Sequence, residues 1–259
     1  SDNYSLFPII SENGATAVFY SYGTNLTALG DTNGYADIFA VKAASIAVSP
    51  TSAVKPEGNA GLQAYTFTVQ RSWFTQSAFT VNWSVSGIGS NPANAADFGG
   101  TLPSGQLSFG IGETSKVISV NVSGDLLVEL DEHFRVTLYD STNNSQIVTA
   151  TADGVIQNND SATINIGNVT LAEGSGGGTT AFVFNVTISN PVDVAVTLQA
   201  NTQNGTATAP SDYTALVSVP VTFNAASAAT QQVTVLVNRD NLFELDETFQ
   251  VLLSSLSAS

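Results

Sequence analysis

The chain has 259 residues, 43% of them apolar, enough for about two cores of ordinary domain size, and no run of about 18 apolar residues could cross a bilayer. It carries 21 acidic and 6 basic side chains, a formal charge of -15; that field repels phosphate backbones and anionic lipid and draws cations, which excludes nucleic acid and direct membrane insertion. With no Cys, disulfides, thiolate metal sites and thiol nucleophiles are excluded too, so any metal must bind oxygen.

Thr, Val, Ser and Asn are abundant, Gly numbers 21, and helix-forming runs of Glu, Lys and Leu are missing, which predicts an all-β fold. The chain lacks Met and begins with Ser1, as an excised piece of a longer polypeptide would. Its low Lys content and wealth of Thr, Asn and Gly resemble secreted bacterial surface proteins, so the expected location is extracellular or at the cell surface.

Residues 1–43 form a short β segment of their own. SLFPII, ATAVFYS and DIFAVKA are apolar runs separated by Glu12, Asn13 and Gly14 and by a long turn over 24–34, which predicts two or three strands. The run TNLTALGDTNGYADIFAV at 24–41 resembles one blade of the propeller repeats of bacterial secreted proteins. A single blade cannot close a propeller, so this segment is expected to pack on a neighbour.

Residues 44–160 read as the first of two modules. Tyr65, Phe67 and Val69 alternate with polar residues, as do Phe79, Val81, Trp83 and Val85, then Ile118, Val120 and Val122, then Phe134, Val136 and Leu138. Period two with one apolar face is the mark of a half-buried strand. A final strand, IVTATADGVIQ, runs into Asn158, Asn159 and Asp160.

Residues 161–259 repeat that plan. Phe182, Phe184, Val186 and Ile188 answer the Tyr65 strand, and Val233, Val235 and Val237 answer the Ile118 strand. Glu57 to Glu173 spans 116 residues, while Asp97 to Asp212 and Asp125 to Asp240 span 115 each. A period this long means a tandem of domains rather than a solenoid, and seven or so strands per unit imply two Ig-like sandwiches. The counterpart of IVTATADGVIQ would start near position 261, so the second sandwich is expected to lack its last strand. An open edge invites strand addition, with residues 4–10 or 36–42 as candidate donors and other copies of the chain or neighbouring domains of a longer one as partners.

The segment GDLLVELDEHF at 124–134 returns as RDNLFELDETF at 239–249. Each copy sets three acids in four positions (Glu129, Asp131, Glu132; Glu244, Asp246, Glu247), with Asp125 or Asp240 four residues upstream. Carboxylates so crowded repel one another unless a cation or open water intervenes. Together with Glu57 followed by Gly58, Glu173 followed by Gly174, Asp97 followed by Phe98, Asp212 followed by Tyr213, and the closing Asn-Asn-Asp, the chain resembles the Calx-beta family. That family is the calcium-binding β-sandwich of sodium/calcium exchangers and of long bacterial surface proteins.

The resemblance implies Ca2+ as the bound ion. It implies a first site of Glu57, Asp97, Asp125, the Leu127 carbonyl, Glu129, Glu132 and the turn of Asn158, Asn159 and Asp160. The second would comprise Glu173, Asp212, Asp240, the Leu242 carbonyl, Glu244 and Glu247. Gly124 and Arg239 stand where high-affinity members carry Asp, and the closing turn has two Asn in place of Asp. Fewer ions or weaker binding are therefore expected, above all in the second module, where Arg239 brings a cation of its own.

The donor chemistry agrees with that reading, since calcium takes about six to eight oxygens in loose geometry. Counting Asp131 and Asp246, 13 of the 21 acids fall in the two clusters. Other signals read more plainly. Asp31, Thr32, Asn33 and Gly34 form an ordinary Asn-Gly turn without the distal Glu of a helix-loop-helix site, and the glycines at 174–178 form a flexible loop without the Lys of a phosphate cradle. His133, the single His, starts a strand and has no second His for a transition metal. Trp83 reads as core and Trp73 as an exposed loop aromatic. No constellation supports an enzyme. The expected function is a calcium-binding structural or adhesive module of a bacterial surface protein or fibre, calcium stiffening the tandem; the alternative is a regulatory calcium sensor in a larger membrane or enzyme system.

Overall fold

The computed structural model describes residues 5–11, 16–23, 35–42, 44–73, 75–142, 146–225, 227 and 229–258; the turns at 12–14 and 31–34 lie outside the described residues. The chain is all-β, and its strands fall into two compact units. At the start, β1 (Ser5–Ile10), β2 (Thr16–Ser21) and β3 (Asp37–Lys42) form an antiparallel sheet in the order β1-β2-β3. Phe19 and Phe39 face each other in register and stack at 5.8 Å, the kind of aromatic pair that fixes strand pairing. A propeller blade has four strands; among the described residues this sheet has three.

The first sandwich follows. Its strands are β4 (Ser45–Ser49), β5 (Ser52–Pro56), β6 (Gly61–Ser72), β7 (Phe79–Gly87), β8 (Ser104–Phe109), β9 (Ser115–Gly124), β10 (Glu132–Tyr139), β11 (Gln146–Thr149) and β12 (Thr151–Gln157). One sheet runs β5-β12-β10-β7-β8 and the other β11-β4-β6-β9. The alternating residues supply the core: Tyr65, Phe67 and Val69 from β6, Val120 and Val122 from β9, and Phe134 and Val136 from β10 are all 0% exposed. Each contributes about 1.5–3 kcal/mol of transfer free energy. Trp83 is only half-buried, packed against this core, and Trp73 is 58% exposed.

The closing segment is two strands rather than the single one its sequence suggests. β11 pairs parallel with β4 in one sheet, whereas β12 lies antiparallel to β10 and parallel to β5 in the other. The break falls at Ala150, whose carbonyl accepts the Leu138 amide at 2.7 Å, so one stretch of chain finishes both sheets.

The second sandwich comprises β13 (Ile164–Ile166), β14 (Thr179–Ile188), β15 (Val196–Asn204), β16 (Val219–Phe223), β17 (Thr230–Asn238) and β18 (Phe249–Ala258). They form sheets β13-β14-β17 and β16-β15-β18. These strands answer β4, β6, β7, β8, β9 and β10 in order. Among the described residues β5, β11 and β12 have no counterpart: β18 stands at its sheet's edge, and residues 167–174 carry no strand. The core registers the difference, since Phe134, Val136 and Leu138 are buried whereas Phe249, Val251 and Leu253 are half-buried.

The register at β12 is set by shape. Gly154 pairs with Phe134, and a Cβ built on it would lie 2.1 Å from the Phe134 ring. Gly154→Val is therefore expected to destabilise the first sandwich by about 1–3 kcal/mol through overpacking, measured as an earlier unfolding transition in urea; a loss under about 0.5 kcal/mol, the range of an ordinary surface change, would contradict this close fit.

Candidate metal centres

Each acidic element ends on a phenylalanine that the core holds fast. Phe134 sits among Tyr65 (5.3 Å between ring centroids), Phe67 (6.3 Å) and Phe98 (5.6 Å). Phe249 repeats the arrangement with Phe182 (6.1 Å), Phe184 (6.0 Å) and Tyr213 (4.6 Å). Phe98 and Tyr213 directly follow Asp97 and Asp212. An aromatic side chain drawn into the core thus carries its neighbouring aspartate toward the acidic loop, which explains why Asp and an aromatic recur as a pair.

Backbone amides then fix each aspartate. The Asn94 amide donates to Asp97 Oδ2 at 2.6 Å, and the Thr208 amide donates to Asp212 Oδ2 at 2.6 Å. That amide, aided by the Ser211 and Thr208 hydroxyls, holds the Asp212 carboxyl below its ordinary pKa against the opposing effect of desolvation. At the head of each acidic element an Asx turn forms: Leu127 N donates to Asp125 Oδ1 and Leu242 N to Asp240 Oδ1, both at 2.7 Å. Gly58 and Gly174 follow their glutamates with φ of 83° and 93°, a left-handed backbone that glycine adopts at no steric cost.

Two groups of carboxylates result. Oxygens of Asp97, Glu129 and Glu132 lie within 4.8 Å of one another, as do oxygens of Glu173, Asp240 and Glu244. Glu244 also responds to its neighbours: desolvation first, then repulsion from Asp240, Glu247, Glu173 and Asp212, pushes its carboxyl above the ordinary range. Of the residues expected at these sites, the acids Glu57, Asp125, Asp160, Asp212 and Glu247, with Leu127, Asn158, Asn159 and Leu242, fall outside the two triads. Glu57 is 5% exposed at the end of β5, its amide donating to the Gln157 carbonyl at 3.2 Å, and its charge with that of Asp131 adds to burial in raising Tyr65 to about 12.

The turn of Asn158, Asn159 and Asp160 is stitched to residues 58 and 59. Gly58 N donates to Asn159 Oδ1 at 2.9 Å, Asn159 Nδ2 to Asn59 Oδ1 at 3.0 Å, and Asn59 Nδ2 to Asp160 Oδ1 at 2.8 Å. Asn59 is the functional neighbour that sequence reasoning missed, because its counterpart is Ser175 and the repeat gives no signal there. Arg239, expected near the acids, instead donates from Nε to Thr180 Oγ1 at 2.8 Å, and the Thr180 hydroxyl donates to the Glu173 carbonyl. Among the described residues it forms no ion pair with the cluster.

These donors suit a hard divalent ion. With metal–oxygen distances of about 2.3–2.6 Å, ligands on opposite sides of a calcium ion stand about 5 Å apart, the span of each triad. Asp160 is 8% exposed and its Oδ2 is buried without a hydrogen bond among the described residues, a polar atom left for a cation to satisfy. All these donors are oxygens, as calcium and magnesium prefer.

A sequence profile of the Calx-beta domain matches residues 57–170 and 157–259. The chain belongs to the Calx-beta family. Among solved structures, the calcium binding domain CBD12 of CALX1.1 is 19% identical, with 83% of this chain and 80% of that chain covered at a TM-score of 0.40. CBD12 of CALX1.2 is 18% identical, with 83% and 82% covered at a TM-score of 0.40. The apo form of the Calx CBD1 domain is 19% identical over 46% of this chain and 100% of that one, also at 0.40. No curated protein matches. Calx-beta domains are calcium-binding modules.

Crowded carboxylates destabilise the ion-free fold and reward a bound cation, so the same substitution should act with opposite signs. At neutral pH in chelator, Glu244→Gln is expected to raise the melting temperature of the second sandwich, and in calcium to shrink its calcium-induced rise. Thermal denaturation in both conditions checks this; a variant that melts below the parent in chelator would contradict the repulsion.

Proposed function

We propose that this chain is a calcium-binding structural module of an extracellular bacterial surface protein or fibre, in which bound calcium stiffens the tandem. The observation that carries the reading is a carboxylate triad in each sandwich, Asp97, Glu129 and Glu132 in the first and Glu173, Asp240 and Glu244 in the second, each gathered within ion-binding distance from two separate segments, with Glu129 and Glu244 as the one equivalent position. One acidic loop could be a solvated turn. Two that share the same Asx turn, the same glycine after the first glutamate and the same aromatic anchor form a repeated device for drawing carboxylates together.

The physical role follows from electrostatics. Without a cation, like charges push the loops apart; with one, the ion cross-links segments distant in sequence and stabilises the fold by mass action, about 2.7 kcal/mol at a hundredfold excess over Kd. The turn of Asn158, Asn159 and Asp160 is hydrogen-bonded to Gly58 and Asn59, so an ion held there would fasten these two segments to each other. Composition supports an extracellular setting, where calcium near millimolar would keep even weak sites filled. Strand addition between chains belongs to the same reading.

Chelation is expected to lower the melting temperature by several degrees and to increase flexibility in small-angle scattering. Asp125→Ala combined with Glu129→Ala should abolish the first sandwich's response. Calorimetry separates the two roles: a Kd of about 10⁻⁴–10⁻³ M fits an extracellular stiffener, whereas micromolar, steep binding would favour a regulatory sensor. Identical melting and scattering in calcium and in chelator would defeat both.

A further inference from the structure

We propose that Asn59 is a positioning residue for cation binding in the first sandwich: its side-chain amide locks the closing turn so that Asp160 presents one oxygen, Oδ2, to the ion, while the asparagines around it serve as frame. The proposal rests on the calcium reading above. Four side chains carry it, those of Asn59, Asn158, Asn159 and Asp160, and all four fall in one compact unit.

Donor and acceptor chemistry fixes how each amide is turned, since a carboxylate accepts and a backbone N–H donates. Asp160 Oδ1 therefore receives Asn59 Nδ2, at 2.8 Å, which points Asn59 Oδ1 at its other neighbour. The Gly58 amide needs an oxygen and takes Asn159 Oδ1 at 2.9 Å, which leaves Asn159 Nδ2 to donate to Asn59 Oδ1 at 3.0 Å. The relay closes on itself because Gly58 and Asn59 are adjacent in the chain. Asn158 is engaged within the turn: its Oδ1 accepts the Asp160 amide at 2.9 Å as an Asx turn, and its Nδ2 donates to the Asp160 carbonyl at 3.4 Å.

Each asparagine oxygen of the frame thus has an amide donor, and so does Asp160 Oδ1. Asp160 Oδ2 differs: it is buried without a hydrogen bond among the described residues, on a side chain only 8% exposed. A carboxylate oxygen in that position is costly until a cation meets it. With Oδ1 held by Asn59, the carboxyl cannot rotate Oδ2 away from the ion's place without breaking a charge-assisted hydrogen bond. The role needs a short side chain with a donor and an acceptor on separate atoms, which is asparagine. Aspartate there would set a second carboxylate against Asp160 and donate nothing. Asn59 is itself exposed and outside any strand, so truncating it leaves the core intact.

The test follows amide hydrogen exchange of residues 57–60 and 158–161 in the whole chain, first in chelator and then along a calcium titration. In chelator, Asn59→Ala should speed exchange of the Gly58 amide about tenfold; unchanged exchange would mean that Asn59 does not hold the turn and would overturn the proposal. In the titration, the midpoint for these segments should move to about tenfold higher calcium in Asn59→Ala, while the midpoint for residues 240–248 stays with that of the parent. Asn59→Ala combined with Asp160→Asn should respond no more weakly than Asp160→Asn alone, because Asn59 acts through Asp160. An unchanged midpoint in Asn59→Ala, or a further loss in the double variant, would overturn the positioning role and leave the calcium reading standing. A parent chain whose two segments ignore millimolar calcium would remove the calcium reading and this proposal together.

Discussion

The packing of Phe134 and Phe249 is the constraint on which the rest of the structure depends. Each ring stands two residues beyond an acid, Glu132 or Glu247, and is clamped by three aromatic neighbours. Burying such a ring contributes about 1.5–3 kcal/mol, and each well-placed aromatic pair about 0.5–1.5 more. Exposed like charges a few ångströms apart cost about 1 kcal/mol per pair in water and more as water is excluded. The apolar term is the larger one at the surface, so the core can hold carboxylates together in an arrangement they would not adopt alone. A binding site is then built from repulsion that packing has already overcome.

The aromatic next to each aspartate makes this a two-sided clamp. Phe98 and Tyr213 approach the same ring from another loop, and the Asn94 and Thr208 amides turn the preceding carboxylates to a fixed angle. The Asx turns at Asp125 and Asp240 do the equivalent on the acidic element itself. Three short-range devices, an aromatic anchor, an amide clamp and an Asx turn, thus set geometry that no long-range order in the sequence could specify.

Much of this was legible because it repeats with regular periods. Alternation of Tyr65, Phe67 and Val69 fixed which face is buried, and the spacing of 115–116 residues paired Asp97 with Asp212 and Asp125 with Asp240. What escaped notice is what breaks the repeat or depends on direction in space. The switch of sheets at Ala150 has no composition signal, since no Gly or Pro marks it. Asn59 has Ser175 as counterpart and so looked like an ordinary loop residue, yet it bridges Asn159 and Asp160. Arg239 was expected to bring a cation of its own to the second site, and the structure turns its guanidinium to Thr180, beside Gly174, where a Cβ would come within 3.3 Å of it.

The asymmetry between the sandwiches follows from one strand having several duties. β12 seals the Phe134 cage, pairs with β5 so that Glu57 is buried, accepts the Glu57 amide through Gln157, and ends in the turn that binds Gly58 and Asn59. Packing, ligand orientation and the supply of further oxygens are therefore coupled through a single element. Where, among the described residues, it has no counterpart, Phe249 and Glu173 are half-buried and residues 167–174 carry no strand. The acidic elements of the two sandwiches are nearly the same in sequence, yet the triads they close share only the Glu129 and Glu244 position, so the difference lies in what holds the acids. In this architecture, the strand that completes the core also carries the turn bonded to Gly58 and Asn59, so core packing and the placement of the nearby Glu57 are set together.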